Sequence, residues 1–513
     1  MEKYMSNSRI QNAKRNMAVG FINKIVTIIS PFLVRTVLIY TLSVEYVGIS
    51  GLFTSILQML SMADLGFASA IVYSMYKPIA EGDNETVCAL INFYKKIYRV
   101  IGGVIFAFGI VLLPFLSKMI SGDYPADIDI HIVYLIYLAN SVVSYLMFSY
   151  KRSLLIAYQR RDVADTIQAI CKLGLSIIQI VSLILVKNYY AYVIFIPICS
   201  VLDNILCAWR TKKMFPYIES RGTISVNAKK DIIEKTKGLL IYRICGMTRN
   251  ALDNFFLSIF YGLVVVGIYN NYYYIMNSVR LFVDICTQSI SAGIGNSVAT
   301  ESVDKNYKNL NVFTFIYEWI CGWCTVCLLC LYQPFMQIWV GEENMFSFEV
   351  VVSLCIYFYV WTAGDIRSQY TDASGLWWKE KKRALVETIA NIVLNYILVR
   401  QFGVIGVVLA TAISILFIGL PWSNKIIFDN YFKGQSCKKY MLNQGLYAFM
   451  TVVSCFVTYQ VCTIVSLSGI LGLVIKGVIC IFVPNICYMA LSFKNPVAKD
   501  SFTFLKGKVL KSR

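Results

Sequence analysis

The sequence predicts an all-α polytopic membrane protein: two six-helix bundles related by a parallel repeat plus two C-terminal helices, 14 spans in all, with both termini cytoplasmic. Three observations predict it. Hydrophobic residues make up 58% of the 513 residues and charged residues only 15%, against about 45–50% and about 25% in soluble domains. The apolar residues fall in blocks of about 20, the length that crosses a ~30 Å hydrocarbon core. The basic residues gather in alternate connections between these blocks. A soluble chain of this length would split into about three domains, each needing a charged surface. Disorder is excluded by apolar content that is high throughout.

In chain order the spans are expected near 17–42, 46–76, 97–117, 131–150, 164–186, 189–209, 238–260, 264–287, 310–336, 348–372, 384–400, 403–424, 443–464 and 469–492. The second block is long for one crossing and is expected to extend past the bilayer or to bend at Gly66. The more polar stretch 288–309 reads as a loop or short interfacial helix. Residues 1–16 are polar and basic, and the apolar stretch after them has no small-residue cleavage site, so no signal peptide is expected.

Loop charges test this order independently. With the N-terminus inside and spans alternating, the outer loops hold only Lys118, Lys187 and Arg400 as bases, beside the acids Glu45, Asp123, Asp127, Asp129, Glu342 and Glu343. The inner segments hold most of the other bases, an excess close to twelvefold, which is expected to set the orientation because Lys and Arg resist translocation. The net charge of +18 has the same origin, and nucleic acid is not an expected partner. Trp377–Trp378 beside Lys379 and the pair Tyr189–Tyr190 fit interfacial anchors. No loop exceeds about 30 residues, which leaves no room for a soluble catalytic domain. The protein's work is therefore expected between its helices.

An internal repeat sets the domain organisation. At a shift of 219, Ile22 falls on Ile241, Lys24 on Arg243, Leu33 on Leu252 and Val47-Gly48-Ile49 on Val266-Gly267-Ile268. A shift of 213 lays Leu185-Val186-Lys187 on Leu398-Val399-Arg400. Span 1 thus matches span 7 and span 6 matches span 12, in the same orientation, the pattern of transporters built from parallel repeats. The expected organisation is an N-terminal lobe at 1–210, a cytoplasmic linker at 211–237, a second lobe at 238–430, and two extra helices with a basic tail at 431–513.

Ionisable residues inside spans cost about 2.5–3.5 kcal/mol each on insertion scales, so they face a partner or a watery cavity. Span 1 carries Lys24 and Arg35, eleven residues apart and so on one helical face, about 16 Å from each other. Pro31 between them is a site for a kink. Span 7 repeats the pattern: Arg243, Asn250 and Asn254 share one line, and Arg249 and Asp253 are spaced to pair. Unneutralised cations in a low-dielectric site favour an anion, and Arg suits phosphate through bidentate hydrogen bonds. Acids also occur within spans: Asp64, Asp203, Asp284, Glu318, Asp365 and Glu387. They are candidates to hold a coupling proton or sodium ion or, more often, structural partners for Arg. Asn277, Arg280, Asp284 and Gln288 make a polar face on span 8.

Some motifs promise more than their context supports. Most of the 16 cysteines lie in apolar blocks, unlike a secreted disulfide framework, and fit free buried thiols. Cys321, Cys324, Cys327 and Cys330 are spaced by three, but that period drifts about 60° per step along a helix, so their thiols do not converge and no metal site is expected. Asp127 and Asp129 formally make a DxD, on the wrong side for a nucleotide sugar. His131 is the only histidine and lies at an outer interface, which disfavours histidine-based catalysis.

Ala251-Leu252-Asp253-Asn254 leading to Val266-Gly267-Ile268-Tyr269, Val47-Gly48-Ile49 with Ala63-Asp64-Leu65-Gly66-Phe67-Ala68-Ser69-Ala70, and Ser374-Gly375-Leu376 through Asn391, Asn395, Gly403, Gly406 and Thr411 resemble the signatures of Wzx-type polysaccharide flippases, of the MOP superfamily. The resemblance covers nearly the whole chain. It implies a non-enzymatic transporter of the bacterial cell membrane that moves a polyprenyl-pyrophosphate-linked oligosaccharide from the inner to the outer leaflet by alternating access. It implies Lys24, Arg35, Arg243 and Arg249 near the pyrophosphate, with Asn250 and Asn254 beside them. Asp64, Asp253 and Asp284 are the candidates for ion coupling. Expected partners are the lipid-linked glycan, membrane lipids, a coupling proton or sodium ion, and glycan polymerase machinery; no cofactor is expected. The alternatives are a MOP-superfamily exporter of small molecules or drugs, which would want unpaired acids in its cleft, and a membrane enzyme of glycan polymerisation, which would want a large outer loop.

Overall fold

The computed structural model describes residues 9–61, 67–122 and 124–511, with side chains described except at 9–14, 17–18, 68–69, 231, 234–244, 247–250, 292 and 505–511. Among the described residues every regular element is a helix. In order they are α1 (Arg9–Thr41), α2 (Val44–Leu60), α3 (Phe67–Glu81), α4 (Asn84–Leu112), α5 (Ile130–Leu146), α6 (Tyr150–Ala157), α7 (Arg161–Val186), α8 (Tyr189–Val193), α9 (Phe195–Met214) and α10 (Val226–Thr300). There follow α11 (Val303–Val340), α12 (Phe348–Thr362), α13 (Asp365–Ala373), α14 (Lys381–Ser414), α15 (Leu420–Asn430), α16 (Cys437–Thr463), α17 (Gly469–Ser492) and α18 (Pro496–Lys511). Helix starts are marked by side chains that accept orphan backbone N–H groups: Asp83 from Thr86, Asp129 from His131, Asn188 from Ala191, Ser302 from Lys305 and Ser436 from Lys439.

Among the described residues, ten helices are long and apolar enough to cross a membrane, or eleven if α5 and α6, bent by 52°, form one broken span. Outward faces are oily: Ile177 and Leu185 on α7 are 62% and 76% exposed. Such surface suits lipid rather than water. One stretch, Leu376–Asn430, runs 55 residues, far beyond the ~20 that a bilayer needs. It is folded back on itself. Asn391 donates to Thr411 Oγ1 at 3.1 Å, although twenty residues of straight helix would separate them by about 30 Å. The reversal is at Gly403, whose φ of 61° and ψ of −135° no ordinary residue adopts readily. This matches the expected division into spans at 384–400 and 403–424. Of the second block the structure describes α2 and α3; Asp64 and Gly66, and with them the expected bend, lie outside the described residues.

The stretch 288–309 departs from expectation. It is neither loop nor short interfacial helix: α10 continues to Thr300, and α11 begins at Val303 under its Ser302 cap. The polar residues lie within the helix and do not end it. Ser289–Ala299 contains no proline, and its glycines Gly293 and Gly295 weaken a helix without ending it.

The chain forms two compact units, Met1–Gly267 and Ile268–Arg513. The sequence-based linker at 211–237 and this division fall on the two sides of span 7. In the first unit α1 packs along α7. Asn23 donates to Gln168 Oε1 at 3.2 Å and Lys172 donates to Thr27 Oγ1 at 3.4 Å. The partners advance together along both helices, so α1 and α7 run parallel, as spans separated by an even number of crossings must. In the second unit Thr314 meets Tyr440 and Cys330 meets Cys462, so α11 and α16 are parallel. Trp319 donates to Asn485 and Trp323 to the Cys480 carbonyl, so α11 and α17 are antiparallel. Both directions agree with the expected span order.

The repeat-related glycines meet within the first unit. A Cβ on Gly48 would overlap the Leu263 carbonyl, and one on Gly267 the Val44 carbonyl. The two Val-Gly-Ile motifs are thus the close-packing points between α2 and the part of α10 that follows its break at Gly262.

Candidate functional site

A polar seam runs between α1 and α7 in the first unit. Near the ends of both helices Arg15 pairs with Asp162 at 2.8 Å, and Arg160 pairs with the same carboxylate at 3.1 Å. The Asn23–Gln168 and Thr27–Lys172 contacts continue the seam. It then opens into a cavity of about 180 Å³ lined by Ser30, Arg35, Ser50, Lys172, Ser176, Gln179 and Tyr192, with apolar walls from Pro31, Val34, Leu38, Val47 and Leu175. Helical spacing explains the lining. Ser30, Val34, Arg35 and Leu38 recur at three- and four-residue steps on α1, as do Lys172, Leu175, Ser176 and Gln179 on α7, so each set is one face.

The wall is held by its own hydrogen bonds. Gln179 Nε2 donates to the Tyr192 carbonyl at 3.1 Å, and Ser50 Oγ lies 2.8 Å from Tyr189 Oη and 2.9 Å from Tyr137 Oη. Two cations, Arg35 and Lys172, therefore come to one small, hydroxyl-lined hollow. Drug-sized ligands occupy about 300–1,000 Å³, so this hollow suits a phosphoryl head group rather than a sugar chain. Guanidinium and ammonium together can supply charge-assisted hydrogen bonds to such a group.

The second unit holds a different cluster. Arg280 lies 2.6 Å from Asp365 and 2.7 Å from Asp284, and donates to Tyr317 Oη at 3.1 Å. Tyr317 in turn donates to Asp365, and the Trp361 ring lies under the guanidinium at 5.2 Å. One cation facing two carboxylates is saturated, so this cluster does not offer positive charge to a ligand. It carries an acidic surplus instead.

Arg35 lines the cavity. Lys24 is half-buried on α1, just over three turns before Arg35. The side chains of Arg243, Arg249 and Asn250 lie outside the described residues, as does Asp64. Asn254 is buried and donates to Ser55 Oγ at 2.8 Å, tying α10 to α2. Asp253 is fully buried. Asp284 is engaged by Arg280, Asp203 by Arg152 at 3.2 Å, and Glu387 by Arg383. Lys172 was not among the expected site residues. A lone lysine inside the block 164–186 was the available signal, but its pairing with α1 comes only from the fold. The formal DxD is structural: Asp127 accepts from Tyr46 Oη at 2.5 Å, and Asp129 caps α5. The His131 backbone N–H holds the Asp129 carboxyl below its ordinary range.

The fold is that of MOP-superfamily transporters. The lipid II flippase MurJ in an inward closed conformation superposes with a TM-score of 0.64 at 15% identity, covering 93% of this chain and 98% of that one. An inward-facing multidrug resistance MATE family transporter of the MOP superfamily gives a TM-score of 0.60 at 13% identity, over 79% of this chain and 95% of the other. A MATE transporter from Vibrio cholerae gives 0.56 at 12% identity, over 82% and 99%. No curated protein matches the chain in sequence. The model of the polysaccharide biosynthesis protein family matches residues 13–290. That is more than half of the chain, and the chain belongs to this family.

Proposed function

We propose that the protein flips a polyprenyl-pyrophosphate-linked oligosaccharide from the inner to the outer leaflet of the bacterial cytoplasmic membrane, by alternating access, for surface polysaccharide assembly. The observation that carries this reading is the phosphate-sized hollow with Arg35 and Lys172 at its wall, in a membrane-spanning chain of the polysaccharide biosynthesis family. In this reading Arg35 and Lys172 receive the pyrophosphate, whose desolvation would otherwise cost many kcal/mol. Lys24, together with Arg243, Arg249, Asn250 and Asn254 on span 7, completes the polar path for head group and sugars. The lipid tail stays in the bilayer. Asp64 and Asp253 remain the candidates for a coupling proton or sodium ion, whereas the Arg280 pair gives Asp284 a structural role. Outward movement of negative charge is favoured by an inside-negative potential, by about 2.3 kcal/mol per net charge per 100 mV.

The second reading is an exporter of small cations or drugs. It is favoured by the acidic surplus at Asp284 and Asp365. Reconstitution separates the two. Proteoliposomes are loaded with a defined polyprenyl-pyrophosphate-linked oligosaccharide, and its arrival in the opposite leaflet is scored. Arg35→Gln and Lys172→Met should each slow flipping at least about tenfold, the equivalent of 1.4 kcal/mol of lost stabilisation. Arg35→Lys should retain most of it, and Lys24→Ala should slow it less. Normal flipping by both charge-removing variants, or transport of a cationic dye with no glycan movement, overturns the proposal.

A further inference from the structure

Three thiols from three helices meet at one buried point of the second unit. Cys330 lies on α11, Cys462 on α16 and Cys480 on α17, and their Sγ atoms all lie within 4.8 Å of one another. The residues are 5%, 3% and 1% exposed. Cys327, one turn earlier on α11, packs against the same cluster. The spacing of cysteines along α11 argues against convergence within that one helix. A ligand set drawn from three helices is not bound by that spacing.

The arrangement has the size of a trithiolate metal site. A Zn–S bond of about 2.3 Å places three sulfurs about 4.0 Å apart around a central ion, so each thiol here would move by about 0.5 Å or less. Thiolates are soft ligands and select thiophilic ions over magnesium, calcium or manganese. There is also a way in. Cys330 and Cys462 form part of the wall of a cavity of about 690 Å³, together with Gln333, Gln337 and Lys476. Its rim is made by the α11–α12 and α16–α17 connections. Charge selects the ion's valence. Three thiolates around a divalent ion carry one net negative charge, and the Lys476 ammonium on the same wall balances it. A monovalent ion would leave an uncompensated charge in a low-dielectric setting, which is costly.

We propose that Cys330, Cys462 and Cys480 bind one divalent thiophilic ion of the zinc class, which enters from the adjoining cavity and pins α16 and α17 to α11. On binding, three S–H bonds break and three S–metal bonds form. Three protons leave to solvent, and the ion sheds water in exchange. The site is separate from the proposed flipping path, and neither reading depends on the other.

The test uses the full-length protein, reduced, metal-free and in detergent, titrated with cadmium as a spectroscopic stand-in for zinc. Thiolate-to-cadmium charge-transfer absorption should grow to one equivalent and stop. Zinc should bleach it, and unbuffered medium should acidify as protons are released. Cys480→Ser and Cys330→Ser should lower affinity by about 100-fold or more, since loss of a ligand exceeds the cost of losing a supporting contact. Cys88→Ser should leave the titration unchanged. If a ligand variant does not fold, protection decides: in the unaltered protein, zinc should shield Cys330 and Cys462 from a small thiol reagent. Absence of a saturable one-equivalent band, an unchanged titration in Cys480→Ser, no protection by zinc, or a Cys330–Cys462 disulfide in protein taken directly from membranes overturns the proposal.

Discussion

Arg280 and Arg35 show how the same residue type serves two ends. The Arg280 side chain is 11% exposed and that of Asp365 20%. Removing one partner of such a pair strands a buried charge, at a cost of about 3–5 kcal/mol, whereas replacing both with apolar groups of similar volume is often neutral. Arg280→Met should therefore lower the thermal midpoint sharply, and Arg280→Met combined with Asp365→Leu should recover much of the loss. A double-mutant cycle on detergent-solubilised protein measures the coupling. Had Arg280 been a ligand-binding cation, the double variant would be as inactive as the single; as a structural group, activity should return with stability. Arg35, on the wall of a hollow, should show the opposite pattern, with lost transport and a stability change within about 1 kcal/mol. The sequence made half of this legible. The pairing of Arg280 with Asp284 follows from i,i+4 spacing on one helix. The contacts of Arg280 with Asp365 and of Lys172 with Thr27 join residues far apart in the chain, and helical periodicity carries no information about them.

Two breaks in the helices fall at glycines at the boundaries between expected spans, Gly262 and Gly403, whereas polarity alone does not end a helix. Gly403 turns α14 back on itself, and Gly48 lets α2 touch the Leu263 carbonyl. Neither position accepts a side chain freely, but for different reasons. At Gly403 the obstacle is backbone conformation, costing about 1–3 kcal/mol for a non-glycine residue. At Gly48 it is space, where overpacking costs about 1–3 kcal/mol and pushes the two helices apart. Gly403→Ala should thus lower stability while the Asn391–Thr411 contact re-forms after folding. Gly48→Ala should also disturb the neighbouring Asn254–Ser55 hydrogen bond, so that adding Asn254→Ala costs less in the Gly48→Ala background than alone. Thermal midpoints of the four variants check both statements. The stretch 288–309 is the polar case. Helix formation needs only hydrogen-bonded backbone and tolerant side chains, and these continue to Thr300.

For the molecule as a whole, the question is which end faces which side, and two independent lines bear on it. Within each unit, helix directions obey the alternation that the span order demands: α1 with α7 parallel, α11 with α16 parallel, α11 with α17 antiparallel. An error of one crossing between any of these pairs would reverse a direction. The expected sign comes from the bases, whose excess lies at one set of connections in the expected span order. Lys381 stacks its ammonium over the Trp378 ring at 3.6 Å, at one of these connections, as an interfacial anchor would. The cysteine inventory makes the prediction easy to measure. All 16 native cysteines are buried or half-buried, so an introduced exposed cysteine should label above a low background. Glu343→Cys, on the connection between α11 and α12, should react with a membrane-impermeant maleimide on intact cells. Lys229→Cys, at the start of α10, should react only after permeabilisation. The reverse pattern would invert the orientation, and with it the direction in which an inside-negative potential drives an anionic cargo. Labelling of both from outside would require an even number of crossings between residues 229 and 343, against the odd number in the expected span order, and would overturn that order.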